Sequence, residues 1–391
     1  MDDVVVFHNL LWPRYKGEIF SALHEQARAR GLRLGFVQIA RTDAERAALS
    51  AVDLSSHRYP FRLLFDGAYE AVPAVRRLRC LAAEVWRTPA RLVVLPGYHR
   101  AEYWAMLGVC LLRGKRRAVF CDSTRHENPP RGAAGALKSA AKRLFFGLCD
   151  GFFAYGSRSA EYLREFGAAP AAVFQPCQAA ALAPGFEAAE ALARRVAARA
   201  GAAPRFLYVG RLAPEKGLDT LLRAFAQARG GLPAGASLVL VGAGPERTQL
   251  LALAAELQLG ASVVFAGAMD AAGLSAEYAR ASCLVLPSTR EPWGLVVNEA
   301  LHHGCPAIVS EVCGCRPDLV RDGVTGLAFD AGDTAALAQR LEQSLQAFAD
   351  VATSGQACQR LMEQHTPAQA ASRMLAGLER LLAGRRVEVA A

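Results

Sequence analysis

Between Pro287 and Ala300 the chain reads P-S-T-R-E-P-W-G-L-V-V-N-E-A, with two carboxylates, Glu291 and Glu299. An apolar run, Cys283 to Leu286, leads into it and reads as a buried strand, and a helix is under way by Glu299-Ala300-Leu301. Glu291 on the loop and Glu299 on the helix are both placed to accept hydrogen bonds from ligand hydroxyls. Between them Gly294, Leu295 and Val296 open the helix, and the unpaired amides of a helix start suit a diphosphate. A second set stands upstream, where Val209-Gly210-Arg211 and Pro214-Glu215-Lys216-Gly217 follow the apolar run Arg205 to Val209. Gly210 lets a ligand approach the backbone, Arg211 offers a planar fork for phosphate oxygens, and Lys216 brings a mobile point charge. Taken singly, such residues are more often solvated or capping groups. Their shared position at the carboxyl ends of strands, where open α/β sheets bind ligands, is what joins them.

A third glycine turn, Val241-Gly242-Ala243-Gly244-Pro245-Glu246, also leads from strand to helix. Arg247 stands where a dinucleotide fingerprint needs its last glycine, and Pro245 sits in the turn, so it reads as a tight strand-to-helix connection.

These residues need a scaffold, and the chain supplies alternating apolar runs and amphipathic segments. In the first half the expected strands are Val4 to Phe7, Leu32 to Ile39, Arg91 to Leu95, Ala118 to Cys121 and Gly151 to Ala154. Helices are expected from Glu18 to Arg30, Arg76 to Arg87, Trp104 to Leu112, Leu137 to Leu148 and Ser159 to Phe166, with a polar loop from Asp122 to Arg131. The alternation restarts at Arg205 and runs on through strands at Ser237, Ser262, Cys283 and Pro306. Thr366-Pro367 is an N-cap and first-turn proline for a last helix, Ala368 to Leu382. Strands alternating with helices imply βαβ units and a mostly parallel sheet in each half. The expected domains are residues 1–180 and 204–366, with an Ala-rich linker over 181–203 that carries a helical piece near Glu187 to Ala198, and a terminal helical segment over 367–391.

Composition narrows the class. A chain of 391 residues suits two domains, and a hydrophobic fraction of 52% excludes wholesale disorder. A net charge of +9 favours anionic partners. From Arg100 to Arg143 ten Lys or Arg face three acids, so much of that charge lies in the first half. This suits an anionic membrane surface, and equally a soluble domain with arginine-rich faces. No recognised nucleic-acid motif accompanies the charge. The acidic start and the lack of a long clean apolar stretch suggest a cytoplasmic protein without a secretory signal. The ten cysteines are scattered, with Cys313-Gly314-Cys315 the only close pair, and read as free thiols.

The order G-R…E-K-G, V-G-x-G-P, E-P-W-G-L-V-V-N-E-A, G-C-P-A-I-V-S and G-V-T-G-L-A-F strongly resembles the retaining glycosyltransferases of family 4, over about Phe206 to Leu341. The resemblance implies an α/β GT-B fold: two Rossmann-like doubly wound domains facing a central cleft, with the nucleotide sugar held by the second and the acceptor by the first. It implies that Arg211 and Lys216 neutralise the donor diphosphate, Glu291 contacts the transferred sugar and Glu299 the ribose, and Gly294 to Val296 supply backbone donors. The terminal helix is expected to cross back onto the first domain. Gly17, on the loop after the first strand, resembles the family's glycine beside the phosphates, although the chain has Lys16-Gly17 where paired glycines are usual. Where many members carry a histidine after the strand matching Ala118 to Cys121, this chain has Phe120-Cys121-Asp122-Ser123-Thr124-Arg125-His126. Asp122 is the first substitute, with His126 or His99 as alternatives.

No D-x-D motif is present, so a metal bridging the diphosphate is not required, and no cofactor is implied. The expected reaction is transfer from a UDP- or GDP-sugar to a glycan or polyprenyl-linked acceptor, in bacterial surface polysaccharide or lipopolysaccharide synthesis. The rivals are a nucleotide-sugar hydrolase or epimerase on the same fold, and a non-catalytic binding protein.

Overall fold

The computed structural model describes residues 2–44, 52–126 and 132–384. They form two compact units, one of residues 1–181 with the segment from Thr366 onward, the other Leu182–His365. Of the loop expected over Asp122 to Arg131, residues 127–131 lie outside the described residues.

The first unit is built on seven strands: β1 (Val4–Leu10), β2 (Leu34–Thr42), β3 (Phe61–Ala68), β4 (Leu92–Leu95), β5 (Arg116–Cys121), β6 (Gly151–Ala154) and β7 (Val173–Phe174). They lie in the order β3-β2-β1-β4-β5-β6-β7, and all pairs are parallel. Parallel sheets need cover on both faces, and the period-two alternation of side chains shows how it is met. Val5, Phe7, Val93 and Val119 face Leu81, Val85, Met106, Leu107, Phe145 and Phe146 of helices Ala74–Arg87, Ala101–Leu112 and Gly132–Gly147. Val4, Val6, Leu92 and Val94 face the other way, onto Ile19, Phe20 and Leu23 of helix Arg14–Ala29 and Met374, Leu375 and Leu378 of helix Pro367–Leu382. Thr366 caps this last helix by accepting the Gln369 N–H at 3.2 Å.

The second unit holds β8 (Arg205–Val209), β9 (Ser237–Val241), β10 (Val263–Gly267), β11 (Cys283–Leu286), β12 (Ala307–Ser310) and β13 (Gly326–Phe329). Their order is β10-β9-β8-β11-β12-β13, again all parallel. The order reverses between β8 and β11, the switch point at which such sheets open a crevice for ligands.

Three differences from the sequence expectation have physical causes. The segment 181–203 is more than a connector, because helix Ala188–Arg199 packs against helices Ala271–Arg280 and Val351–Met362. Its Arg195 is fully buried and donates to the carbonyls of Tyr278 (2.9 Å), Ala281 and Ser282 (3.0 Å). Alanine, which looks like low complexity in composition, is the best helix former and permits close helix packing. Strands β3, β7 and β13 went unread, and each lies at an edge of its sheet. β3 carries Arg62 and Asp66, β7 is two residues long, and β13 opens on Gly326 directly after a turn, so the apolar signal of each is weak. Helix Val351–Met362 was also unread.

Candidate functional site

The site of the second unit is assembled where β8 and β11 run side by side, with Phe206 paired to Cys283 and Leu207 to Leu284. Adjacent parallel strands bring their carboxyl-end loops together, and here the two loops are joined through backbone. The amides of Thr289 and Arg290 both donate to the Glu215 carbonyl, at 2.9 and 3.3 Å. Gly217 has φ of +63°, and a Cβ there would stand 2.4 Å from the Pro287 carbonyl oxygen. Only glycine satisfies both the left-handed backbone and that approach. The loop after β12 holds the other side: Gly314 N–H donates to Glu291 O and Cys315 N–H to Trp293 O, each at 2.9 Å. The Trp293 indole N–H donates to Asn298 Oδ1 at 2.8 Å, and the Ser310 hydroxyl to the Ser288 carbonyl. The segment E-P-W-G is thus a rigid shelf, locked before any ligand arrives.

The charged residues stand on this shelf as two ion pairs. Lys216 Nζ lies 2.7 Å from Glu291 Oε2, with the side chains only 17% and 12% exposed. The Ser288 hydroxyl approaches the same carboxylate oxygen at 3.4 Å. Arg211 pairs with Glu215 at 2.7 Å and is more open to solvent. The Tyr208 phenol donates to the Arg211 carbonyl at 2.6 Å, and burial, reinforced by Glu291 and Glu215, pushes its pKa up. Each cation of the expected phosphate clamp is therefore held by a carboxylate.

Helix Leu295–His302 begins at Gly294, whose φ is +103°. Its first internal bond runs from Val297 N–H to Gly294 O (2.9 Å), so the amides of Leu295 and Val296 precede the helical ladder. One turn on, Glu299 Oε2 accepts from the Tyr278 phenol at 2.9 Å. Burial and then the Glu299 charge raise the pKa of that phenol well above its usual value, which keeps it a donor. Gly210, Arg211, Lys216, Glu291, Gly294, Leu295, Val296 and Glu299 are thus collected on the loops and helix starts at the carboxyl edge of β8 and β11. The turn at Gly242 serves packing: its Cβ would stand 1.9 Å from the Gly210 carbonyl oxygen, so it seats the loop after β9 against the loop after β8.

Gly17 and Asp122 belong to the first unit. Gly17 was expected on a loop, and it lies instead in the first turn of helix Arg14–Ala29, its N–H bonded to Pro13 O at 3.2 Å. A Cβ there would meet Ser56 Oγ at 2.6 Å, so its smallness serves contact with the turn Leu54–Ser56. Asp122 is exposed directly after β5. His99 follows the neighbouring β4, and its imidazole packs edge-on against Tyr98 and Tyr103. Partial burial and then Arg100 lower its pKa, while Asp122 and Glu102 oppose the shift. His126 Nε2 sits 2.8 Å from Arg158 Nη1.

The sequence reading passed over Lys16 except as a replaced glycine. Its ammonium is fully buried, and its Nζ lies 4.4 Å from the Tyr155 ring centroid and 5.1 Å from that of Phe120, without a hydrogen-bond acceptor among the described residues. Desolvation pulls its pKa down to about 8 against the pull of Cys177 and Asp122. The partners Glu215, Tyr208 and Tyr278 were missed as well. Glu215 alone carried a signal, being four residues from Arg211.

The two units together define the class: this is a GT-B fold, with a candidate site of paired charges beside a helix start at the switch point of its second sheet. Residues 190–348 match the family profile "Glycosyl transferases group 1". D-inositol 3-phosphate glycosyltransferase of Acidothermus cellulolyticus is 38% identical over 138 residues, which are 33% of this chain and 30% of that protein. The match thus spans about a third of this curated relative's length. Among solved structures, Anabaena Alr3699/HepE in complex with UDP superposes with a TM-score of 0.71 at 18% identity, over 97% of this chain and 100% of that one. The lipopolysaccharide outer core galactosyltransferase WaaB in its apo form superposes with a TM-score of 0.71 at 14% identity, over 97% and 99%. At these identities the likeness to the solved structures is one of fold.

Proposed function

We propose that the chain is a retaining, family 4-type glycosyltransferase that moves a hexose-type sugar from a UDP- or GDP-sugar to a hydroxyl of a glycan or lipid-linked acceptor, in the assembly of a bacterial surface polysaccharide or lipopolysaccharide. The observation that carries the reading is the convergence of Arg211, Lys216 and the helix start at Gly294 on one rigid shelf beside Glu291. The group 1 profile match and the fold shared with a UDP-bound structure support it.

In this reading the donor diphosphate takes Lys216 from Glu291 and Arg211 from Glu215. The freed Glu291 carboxylate accepts from a hydroxyl of the transferred sugar, and Glu299 from the ribose. As the bond from the anomeric carbon to the β-phosphate oxygen breaks, negative charge gathers on the leaving diphosphate. In this reading the two released cations and the amides of Leu295 and Val296 meet that charge, so they stabilise the transition state more than the ground state. The acceptor hydroxyl forms its new bond to the anomeric carbon on the face the diphosphate leaves, and its proton passes to the departing phosphate. Asp122, with His99 on the loop after the neighbouring strand, is assigned to orient that hydroxyl. The reading gives charge neutralisation to protein groups, so turnover should persist in EDTA.

A thermal-shift screen against UDP, GDP and their hexoses, followed by NMR of the product anomer, tests it. Stabilisation by one nucleotide and a product of unchanged anomeric configuration are expected. Failure of every nucleotide sugar to stabilise the protein overturns the donor assignment. Rapid sugar release or epimerisation without an acceptor assigns the site to a hydrolase or epimerase.

A further inference from the structure

The two helical layers of the first unit have different outer surfaces. Six of the eleven large hydrophobic side chains exposed among the described residues, Val75, Trp86, Leu111, Leu112, Leu137 and Leu144, lie on the layer of helices Ala74–Arg87, Ala101–Leu112 and Gly132–Gly147. None lies on helices Arg14–Ala29 and Pro367–Leu382, which cover the opposite face of the sheet. Leu112 and Leu137 are 79% and 73% exposed, and Leu144 58%. Helix Gly132–Gly147 already buries Phe145 and Phe146 against the core, so Leu137, Ala140 and Leu144 form a second apolar line on its outer side, at helical spacing. The three helices form one continuous layer, since the first two pack on each other and Trp104 meets Phe145 edge-on at 5.0 Å.

The charge on the same surface has one sign. Arg76, Arg79, Arg87, Arg113, Lys138 and Arg143 are exposed, and Arg113 stacks over the Trp86 ring at 4.8 Å. The acids of these helices are withdrawn from the surface: Glu102 is buried against Arg77, and Glu84 is paired with Arg62. Among the described residues no helix is long and apolar enough to cross a bilayer.

We propose that this three-helix layer is a docking surface for an anionic lipid bilayer, on which the first unit lies with its leucines and Trp86 in the headgroup region and its basic side chains on lipid phosphates. Exposed leucine and tryptophan among unopposed Arg and Lys is the composition of an interfacial surface. A second copy of the chain would bring the same positive face against it, and a nucleic-acid backbone would leave the leucines in water. The inference does not rest on the transferase reading, since vesicle binding is measured without any sugar donor.

The test is flotation of the full chain with vesicles of phosphatidylcholine alone and of phosphatidylcholine with phosphatidylglycerol. Binding to the anionic vesicles, weakened by salt, is expected, with little binding to the zwitterionic ones. Leu112→Glu with Leu137→Glu should lower the partition at least tenfold, because each leucine loses its burial and each glutamate opposes the surface charge. Both positions are solvent-exposed, so the variant folds, and an unchanged thermal shift with UDP, if the chain binds it, serves as a further control. Arg76→Gln with Arg79→Gln should lower it by roughly fivefold per charge at low salt. Wild-type chain that stays off anionic vesicles at low salt, or a double glutamate variant that floats like wild type, overturns the proposal. So does a concentration-dependent dimer in sedimentation velocity that the same variants abolish, which would make the face a protein interface.

Discussion

Removing Lys216 separates the structural from the catalytic role of the Lys216–Glu291 pair. The two side chains are 17% and 12% exposed and 2.7 Å apart, so Lys216→Ala leaves a nearly buried carboxylate whose remaining close partner is the Ser288 hydroxyl at 3.4 Å. Breaking a fully buried pair costs about 3–5 kcal/mol, and an exposed one 0–1. The residual exposure here puts the expected loss at about 2–3 kcal/mol. Adding Glu291→Gln removes the stranded charge and should return roughly 1–2 kcal/mol of that. Turnover behaves differently. The lysine is assigned to charge that develops on the leaving diphosphate, so its loss should lower kcat by roughly 10²–10³. The second substitution should not restore it. Urea unfolding of both variants, with kcat measured on the nucleotide sugar that stabilises the wild type, gives the two readings side by side. A single variant that turns over near the wild-type rate, or a double variant that recovers rate along with stability, would show that the pair is only a fold element and refute the clamp.

Other expectations bear on separate parts of the molecule. Arg211→Ala removes an exposed ion pair, so stability should change by under about 1 kcal/mol while turnover falls by roughly 10²–10³; a large loss of stability in urea would count against its place on the phosphates. Lys16→Met should stabilise the protein at pH 7. The folded-state pKa of about 8 against 10.5 for a free lysine corresponds to a penalty of about 3 kcal/mol, of which the aromatic faces return about 1–2. The unfolded chain binds the extra proton between these values, so the penalty is complete below pH 8 and is relieved as pH rises to 10.5. The advantage of the variant should therefore shrink across that window in pH-resolved unfolding, and a constant difference would contradict the buried ammonium. Gly217→Ala, strained by its positive φ and facing the Pro287 carbonyl, should cost about 2–4 kcal/mol and lower turnover by shifting Lys216; a wild-type urea midpoint would argue against the close approach.

The alternation of apolar runs was enough to read two parallel-sheet halves, because interior strands such as Cys283–Leu286 and Arg205–Val209 are apolar runs that end at a turn residue, Pro287 or Gly210. It was not enough for edge strands β3, β7 and β13, where charge, a two-residue length or an opening glycine hides the pattern; the Ala-rich helix Ala188–Arg199 was legible as a helical piece near Glu187 to Ala198, but its buried Arg195 looks like a surface residue in sequence. Gly17 was expected on the loop after the first strand, where it resembles the family's glycine beside the phosphates, whereas here it fits a helix against the turn at Ser56.

By its own order of residues the chain offered the candidates for a diphosphate and sugar site: Arg211, Lys216, Glu291, Glu299 and the amides opening at Gly294. Those are matters of residue type and of position at strand ends, and both are local. Only the tertiary structure decided what those groups touch. Lys216 and Glu291 stand 75 positions apart and meet because β8 and β11 are neighbours in the sheet, and Lys16 is stripped of water because Phe120 and Tyr155, from distant segments, join Tyr15 and Phe20 of its own helix in closing over it. Pairing and desolvation depend on chain segments brought together from a distance, so no local pattern carries them.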